Sequence, residues 1–325
     1  MKDEIFQKLK EELPEVQKGV SLKNYTTYKI GGPAKYFFIA KTKDDLITAV
    51  KVAKKLKLPI FILGGGSNLL ISDKGFLGLV IKIEISNIKF EKNKIAVGAG
   101  ASLVKLAYMS VESGLSGFEW AAGIPGTIGG AIHGNAHAFG TKTSDLVKSI
   151  EAVDSKSLKL KKFTNGQCHF SLKNSIFKKN KNLVIVSTIL ELKEEKKEQI
   201  KNRIKEFLEH RRTKHPMDFP SAGSVFVNSM VKIKDKKLLE KFPEINEYNK
   251  KGSIPSWYLI HKCGLSGKKI GKAQISEKHC NFIINLGGAK AGDIVSLINL
   301  AKKKVKNNFG ISLESEIQFL GFNKK

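Results

Sequence analysis

The chain has 325 residues, 41% of them hydrophobic, which is enough to bury the cores of two or three domains. Its formal net charge is +27, but only three of its 57 basic residues are arginines, so we expect no arginine-based reading of nucleic acid bases. No apolar run approaches a membrane span or a secretory signal, and the three cysteines lack CxxC spacing. These features predict a cytoplasmic protein without membrane partner, disulfides or metal.

The first quarter of the chain is predicted to form a small α/β unit. Its predicted elements are helices 4–13 and 43–57 and strands 60–63 and 79–83. Thr42 and Asp45 have the spacing of a capping box at the start of the second helix. The two strands flank Gly64–Asn68, a run of small residues with the sequence GGGSN.

The remaining elements are predicted in two groups, separated at about residue 212 by the loop 213–223. Before the loop we predict strand 93–98, helix 102–113 with Ser102 as its cap, strands 149–153, 158–163 and 183–192, and helix 194–210. After it we predict strand 224–227, helix 256–263, strand 281–285, helix 292–307 and strand 313–319.

Two glycine-rich runs are the most informative part of the sequence. Residues 117–135, GFEWAAGIPGTIGGAIHGN, carry six glycines, and GGGSN forms the second run. Glycine allows positive φ and lets a ligand approach main-chain N–H groups without a Cβ in the way. GGGSN alone suits an ordinary turn and lacks the Rossmann spacing. Two such loops together predict two walls of a site for a phosphate-bearing cofactor.

Six segments in order give the chain a resemblance to a known family. They are NYTTYKIGGPA (24–34), GGGSNLL (64–70), GIPGTIGGA (123–131), PSAGSVF (220–226), SEKH (276–279) and LESEIQF (313–319). Their order and spacing resemble the UDP-N-acetylenolpyruvoylglucosamine reductases, flavoenzymes of bacterial cell-wall precursor synthesis, over residues 21–321. The short interval between Ser175 and Pro220 resembles the shorter variant of that family.

The resemblance implies an α+β fold. It consists of a two-lobed FAD-binding domain of the vanillyl-alcohol-oxidase type and a C-terminal α/β substrate-binding domain, which we divide as 1–85, 86–212 and 213–325. It also implies a monomer in which NADPH reduces non-covalently bound FAD and an enolpyruvyl UDP-sugar then takes the hydride. The implied cofactor-binding residues are Gly64, Gly65, Gly66, Ser67, Asn68, Gly123, Ile124, Pro125, Gly126, Thr127, Gly129, Gly130 and Asn135.

Two catalytic residues follow from the resemblance. Ser224 matches the proton donor of the family, and Glu316 matches its second acid-base group. Hydride addition to the enol ether builds charge toward the carboxylate, so a donor must protonate the neighbouring carbon. Strand alternation predicts that Glu314 and Glu316 share a face and raise each other's pKa, which would suit Glu316 to donating a proton.

The third catalytic position departs from the family pattern. Its Tyr-Arg-x-Ser motif is matched by Leu172, Lys173, Asn174 and Ser175, so lysine replaces arginine. Lysine keeps the charge but loses the bidentate fork for a carboxylate. Lys173 is therefore a candidate for stabilising the enolate. The alternative is a flavin-binding homologue with weakened or lost turnover.

The candidate substrate-binding residues are Asn228 and His279. Val227 stands where the family has lysine, and His137 stands where a glycine is usual. His133 and His137 have H-x-x-x-H spacing, but the surrounding loop argues against a metal-binding helix face. The family does not attach flavin covalently through histidine, so we expect both residues only to border the loop.

Overall fold

The structure is a computed structural model that describes residues 3–322. Its helices are α1 (Glu4–Glu12), α2 (Lys43–Lys55), α3 (Leu103–Glu112), α4 (Ile128–Gly134), α5 (Ile176–Lys179), α6 (Lys197–Lys214), α7 (Lys236–Lys241), α8 (Glu244–Lys251), α9 (Ser256–Lys262) and α10 (Ala291–Phe309). The predicted helices correspond to α1, α2, α3, α6, α9 and α10, and those predictions are confirmed to within a few residues.

Eighteen strands are present in the described part of the chain. They are β1 (Gln17–Ser21), β2 (Pro33–Ala40), β3 (Ile60–Leu63), β4 (Leu69–Ile71), β5 (Phe76–Ile83), β6 (Ile88–Glu91), β7 (Lys94–Gly98), β8 (Leu115–Ser116), β9 (His137–Ala138), β10 (Thr141–Lys142), β11 (Val147–Asp154), β12 (Leu160–Thr164), β13 (Leu183–Glu191), β14 (Lys193–Glu194), β15 (Lys269–Ile270), β16 (Ala273–Ile275), β17 (Ile283–Asn285) and β18 (Gln318–Leu320).

The chain divides into two units, each with its own buried core. Among the described residues, the first unit contains 3–20, 33–66 and 76–211, and the second contains 21–32, 67–75 and 212–322. The segments 21–32 and 67–75 therefore belong with the C-terminal part, although the predicted division assigned them to the first lobe. The three-part division 1–85, 86–212 and 213–325 itself stays a prediction.

The first unit contains two main sheets. One has the order β1-β2-β5-β3, with β2 and β3 parallel to β5, and the other has the order β12-β11-β13-β7-β6 with antiparallel pairing. The predicted capping box is confirmed, because the Asp45 N–H donates to Thr42 Oγ1 (3.1 Å) and the Thr42 N–H donates to Asp45 Oδ2 (2.8 Å). The loop after β3 and the loop before α4 carry the two glycine-rich runs.

The second unit packs α9 and α10 with the antiparallel sheet β15-β16-β17, and it also contains the parallel pair β4-β18. Two strand predictions are wrong here. Residues 224–227 make only isolated bridges, through Ser224 and Phe226, and within 313–319 the regular strand begins at Gln318. These segments pair over one or two residues with partners distant in sequence, which a local alternating pattern does not reveal.

Candidate functional site

In the first unit, the two glycine-rich loops lie directly against each other. A Cβ added to Gly65 would lie 2.6 Å from the Cα of Gly126, and one added to Gly64 would lie 2.7 Å from Thr127 Oγ1. Both distances are too short for real Cβ contacts, so any side chain there would push the loops apart. Gly64 and Gly65 must therefore lack side chains because the opposing loop of the same chain occupies that space.

The second loop ends in α4, whose first turn is tied to the preceding sheet. The N–H groups of Ile128 and Gly129 donate to the carbonyls of Ala101 (3.0 Å) and Ala99 (2.9 Å). Thr127 is the N-cap of α4, and its Oγ1 accepts from the Gly130 N–H at 3.4 Å. The N–H groups of Gly129 and Gly130 are thus used within the protein. Main-chain donors for a cofactor must come from elsewhere in the two runs, and the predicted contacts of Gly129 and Gly130 stay predictions.

Asn135 ends α4 in the left-handed conformation, with φ +43°. Its side chain is buried and forms two hydrogen bonds: Nδ2 donates to the Ser171 carbonyl (3.0 Å), and Oδ1 accepts from the Ser144 N–H (3.0 Å). Asparagine tolerates this backbone conformation better than most residues. Asn135 therefore holds two loops together, and its predicted contact with a cofactor stays a prediction.

The turn that carries Lys173 is anchored to the same region of the first unit. Lys173 has φ +54°, and its carbonyl accepts from Lys178 Nζ at 2.8 Å. Ser175, which is fully buried, donates its hydroxyl to the His133 carbonyl of α4 at 2.8 Å. Together with the bond from Asn135 to Ser171, these contacts fix the position of the Lys173 turn relative to the glycine-rich run.

Sequence reasoning missed Arg211, which packs against the start of the glycine-rich run. A Cβ on Gly123 would lie 2.7 Å from Arg211 Cδ, and Arg211 Nη2 donates to the Trp120 carbonyl at 3.2 Å. The guanidinium lies 5.3 Å from the ring centre of Phe139, and burial lowers the pKa of Arg211. The rarity of arginine in a lysine-rich chain was the one available signal.

Two buried donors beside this run have no hydrogen-bond partner among the described residues. They are Arg211 Nε and Trp120 Nε1. A buried unpaired donor is costly in a folded protein, so such atoms commonly meet a bound group. The surroundings of Trp120–Gly123 therefore fit a ligand that brings hydrogen-bond acceptors.

In the second unit, residues 224–227 run between two other segments. On one side, the Val225 N–H donates to the Asn281 carbonyl at 2.8 Å. Asn281 also pairs with Phe226 through its side chain, which accepts at 2.9 Å and donates at 2.8 Å. On the other side, the Glu316 N–H donates to the Val225 carbonyl at 2.8 Å. The backbone thereby brings Ser224 and Glu316, both predicted as catalytic, onto hydrogen-bonded neighbouring segments.

Glu314 and Glu316 do not lie on a regular strand, and the predicted face shared by their side chains stays a prediction. Between them, Ser315 forms an isolated bridge with Phe226. Glu314 is exposed whereas Glu316 is partly buried. The two carboxylates therefore have different surroundings.

Asn68 joins the Glu316 segment. Its Nδ2 donates to the Glu316 carbonyl (3.2 Å), and its own carbonyl accepts from the Gln318 N–H (3.0 Å). The pairing of β4 with β18 continues this contact. The GGGSN run is thus divided: Gly64, Gly65 and Gly66 belong to the first unit, and Ser67 and Asn68 to the second.

The two predicted substrate-binding residues lie on either side of the start of α9. Asn228 Oδ1 accepts from the Ser256 N–H at 3.2 Å, while the Ser256 hydroxyl donates to the Val227 carbonyl at 2.6 Å. His279 packs its ring near that of Trp257, with centroids 6.3 Å apart. Burial lowers the pKa of His279, and its Nδ1 accepts from the Asn281 N–H at 3.3 Å. The ring is therefore neutral, with its proton on Nε2.

Among residues 3–322, no group of three or more histidine, cysteine, aspartate or glutamate side chains has the geometry of a metal site. His133 lies on α4 and His137 on β9, so the two do not share a helix face. A search of the same residues for a helix able to span a membrane finds none.

Comparison with known proteins agrees with this architecture. A sequence model of the FAD binding domain matches residues 34–158, and a model of the UDP-N-acetylenolpyruvoylglucosamine reductase C-terminal domain matches residues 215–320. The chain is 38% identical over 308 residues to the UDP-N-acetylenolpyruvoylglucosamine reductase of Lactobacillus delbrueckii subsp. bulgaricus, covering 94% of this chain and 96% of that protein. It is 37% identical over 327 residues to that of Caldanaerobacter subterraneus subsp. tengcongensis, covering 99% of each.

A solved structure extends the similarity to the fold. The crystal structure of the UDP-N-acetylenolpyruvylglucosamine reductase from Thermus caldophilus has a TM-score of 0.74 and 29% identity, and covers 94% of this chain and 99% of that one. The predicted α+β fold is confirmed, with an FAD-binding domain of the vanillyl-alcohol-oxidase type and a C-terminal substrate domain. Similarity of this extent shows that the chain belongs to the UDP-N-acetylenolpyruvoylglucosamine reductase family.

Proposed function

We propose that this chain reduces UDP-N-acetylglucosamine enolpyruvate to UDP-N-acetylmuramate, with NADPH as the electron source and bound FAD as the carrier. The observation that carries the proposal is the pairing of Ser224 and Glu316 on hydrogen-bonded segments in a chain that matches the reductases from end to end. The alternative of a flavin-binding homologue without turnover finds no support in the comparisons.

The residues of the first unit fit FAD. The runs Gly64–Gly66 and Gly123–Thr127 lie against each other at their glycines, and Trp120 Nε1 and Arg211 Nε are buried donors that need acceptors. We assign the pyrophosphate to the bare runs and a neighbouring acceptor group of the cofactor to Trp120 and Arg211. The bound flavin supplies the hydride that adds to the enolpyruvyl carbon.

Side chains of this protein transfer the proton and stabilise the negative charge that develops on the substrate. Ser224 gives a proton to the carbon next to the carboxylate, and Glu316 is the second acid-base group. Lys173 contributes a positive charge toward the enolate-like species, held by the anchored turn described above. A Lys173→Met variant tests this assignment: the rate of substrate reduction should fall about 10²–10³-fold, by analogy with loss of one charge-stabilising donor. An unchanged rate would remove Lys173 from the mechanism.

Asn228 and His279 are assigned to the nucleotide sugar. Asn228 uses its oxygen to hold α9, so the amide nitrogen is the part of its side chain left for the substrate. We further propose a cytoplasmic monomer that serves peptidoglycan synthesis, and through it cell shape and division, without nucleic acid or membrane partners.

The decisive test is a two-step absorbance experiment under anaerobic conditions. The purified protein should be yellow, NADPH should bleach the flavin band, and the enolpyruvyl UDP-sugar should restore it. Restoration reports the transfer of hydride from flavin to substrate. Bleaching without restoration by the substrate would overturn the assigned reaction, and a colourless protein that FAD does not reconstitute would overturn the cofactor.

A further inference from the structure

An aromatic cluster lies in the second unit and consists of His215, Trp257, His279 and Phe282. Ring centroids are 5.5 Å apart for His215 and His279, 4.9 Å for His279 and Phe282, and 5.1 Å for His215 and Phe282. Trp257 joins at the His279 ring, 6.3 Å away. Phe282 is 9% exposed whereas Trp257 is 39% exposed, so the cluster rises from the core and ends in an indole at the surface.

The imidazole of His279 in this cluster is neutral. Burial lowers the pKa of His279, and the Asn281 N–H that donates to Nδ1 requires that nitrogen to be unprotonated. A neutral imidazole supports the indole without adding a cation to it. The indole of Trp257, which is carried on α9 and contacts the His279 ring, therefore presents an exposed π surface.

The polar groups around the cluster suit a nucleotide. Trp257 follows Ser256, whose N–H donates to Asn228, and His279 follows Lys278, whose Nζ donates to the Arg212 carbonyl. A serine bonded to an amide and a lysine are thus the chain neighbours of Trp257 and His279. A planar base that carries a diphosphate presents the matching chemistry, because the base stacks on an aromatic ring and phosphates attract cations.

We infer that Trp257 is a specificity-determining residue that stacks on the uracil base of the nucleotide sugar. The inference rests on the proposed function for the identity of the ligand, but its geometry belongs to the second unit alone. No motif marked this position in the sequence. Stacking of one base on an aromatic side chain changes affinity by roughly ten- to a hundred-fold.

The test measures UDP binding to the FAD-loaded protein by calorimetry. Trp257→Ala should weaken UDP binding at least about ten-fold, while Trp257→Phe, which keeps a ring, should remain within about three-fold of the parent. Tyr108→Ala removes another exposed aromatic ring, on α3 of the first unit, and should leave UDP binding unchanged. Inorganic pyrophosphate should bind the parent and Trp257→Ala equally, since it has no base.

Tryptophan emission gives an independent readout. The chain contains two tryptophans, and Trp120 is buried, so UDP should alter emission chiefly through Trp257. That change should vanish in Trp257→Phe even though UDP still binds. Equal UDP affinity in the parent and Trp257→Ala, or equal loss in the Ala and Phe variants, would overturn the inference. So would tighter binding of an oligothymidylate than of UDP, since the ring would then serve single-stranded nucleic acid.

Turnover separates this inference from the proposed function. With reductase activity present, Trp257→Ala should raise KM for the nucleotide sugar and leave kcat and flavin reduction by NADPH unchanged. Reductase activity with no effect of Trp257 on UDP binding refutes the stacking role alone. Trp257-dependent UDP binding without any reductase activity refutes the assigned reaction and leaves the base site standing.

Discussion

The candidate site of the first unit depends on closely approaching backbone without side chains, whereas that of the second depends on side chains and their hydrogen bonds. In the first unit the glycine-rich loops approach so closely that Gly64 and Gly65 have no room for a Cβ. In the second unit Ser224 and Glu316 depend on side chains and paired backbone, above all on Asn281, which bonds both polar groups of Phe226. The first site should therefore fail when atoms are added, and the second when atoms are removed.

Removing one oxygen from the second site should have the largest effect. Ser224→Ala should slow reoxidation of the reduced flavin by the enolpyruvyl substrate about 10²–10⁴-fold, the usual loss for a general acid. Reduction of the flavin by NADPH should be unchanged. Stopped-flow absorbance separates the two steps. Ser221→Ala is the matched control, because Ser221 Oγ only accepts a turn bond from the Gly223 N–H at 3.4 Å. Equal slowing of both steps by Ser224→Ala would argue against a role in proton donation.

Asn281→Ala should destabilise the second unit. Asn281 is buried, and its loss leaves the Phe226 N–H and carbonyl unpaired. Two such groups cost about 2–4 kcal/mol in unfolding free energy, which urea unfolding measures. Asn246→Ala removes an exposed amide whose bond to the Pro243 carbonyl lies at the surface, and should change stability little. Similar stabilities for the two variants would show that residues 224–227 are held by other contacts.

The first site could be predicted from the sequence better than the second, for a physical reason. Where two backbones approach closely, the sequence must have glycine, so both glycine-rich loops could be predicted as parts of a site without knowledge of the fold. Ser224 and Glu316 came only from resemblance, because three short segments far apart in sequence assemble their surroundings. Arg211 and Trp257 belong to no motif. Phe226 and Ser315 form only an isolated bridge, where the alternating pattern predicted regular strands.

The first unit also contains a partly buried histidine, His133, whose protonation should destabilise the unit in acid. Burial, assisted by the Lys178 charge, lowers the pKa of His133 from 6.5 to about 4. The unfolded chain then binds more protons than the folded one below pH 6.5, so this group's contribution is present above that pH and lost as the pH falls toward 4. The loss should be about 2–3 kcal/mol in unfolding free energy.

The test compares urea unfolding at neutral and acid pH in the parent and in His133→Gln. The variant should lose much of the pH dependence, since its side chain does not titrate. His169→Asn is the control, because His169 is exposed and asparagine suits its left-handed backbone, φ +46°. An identical pH profile in His133→Gln would assign the acid sensitivity to other groups.

The smallest expected effect comes from adding one methyl group to the glycine-rich loops of the first unit. Gly65→Ala adds one methyl group whose carbon would lie 2.6 Å from the Cα of Gly126, so the two loops must separate. Overpacking of this kind costs about 1–3 kcal/mol, and the variant should lose flavin on gel filtration because the bare walls no longer align. Gly134→Ala adds the same methyl at the end of α4, where nothing lies within 4 Å, and should keep both stability and flavin. If Gly134→Ala folds normally but loses flavin, the cofactor itself occupies that open space. The missing side chain at Gly134 would then make room for the ligand, whereas at Gly65 it makes room for the opposing loop.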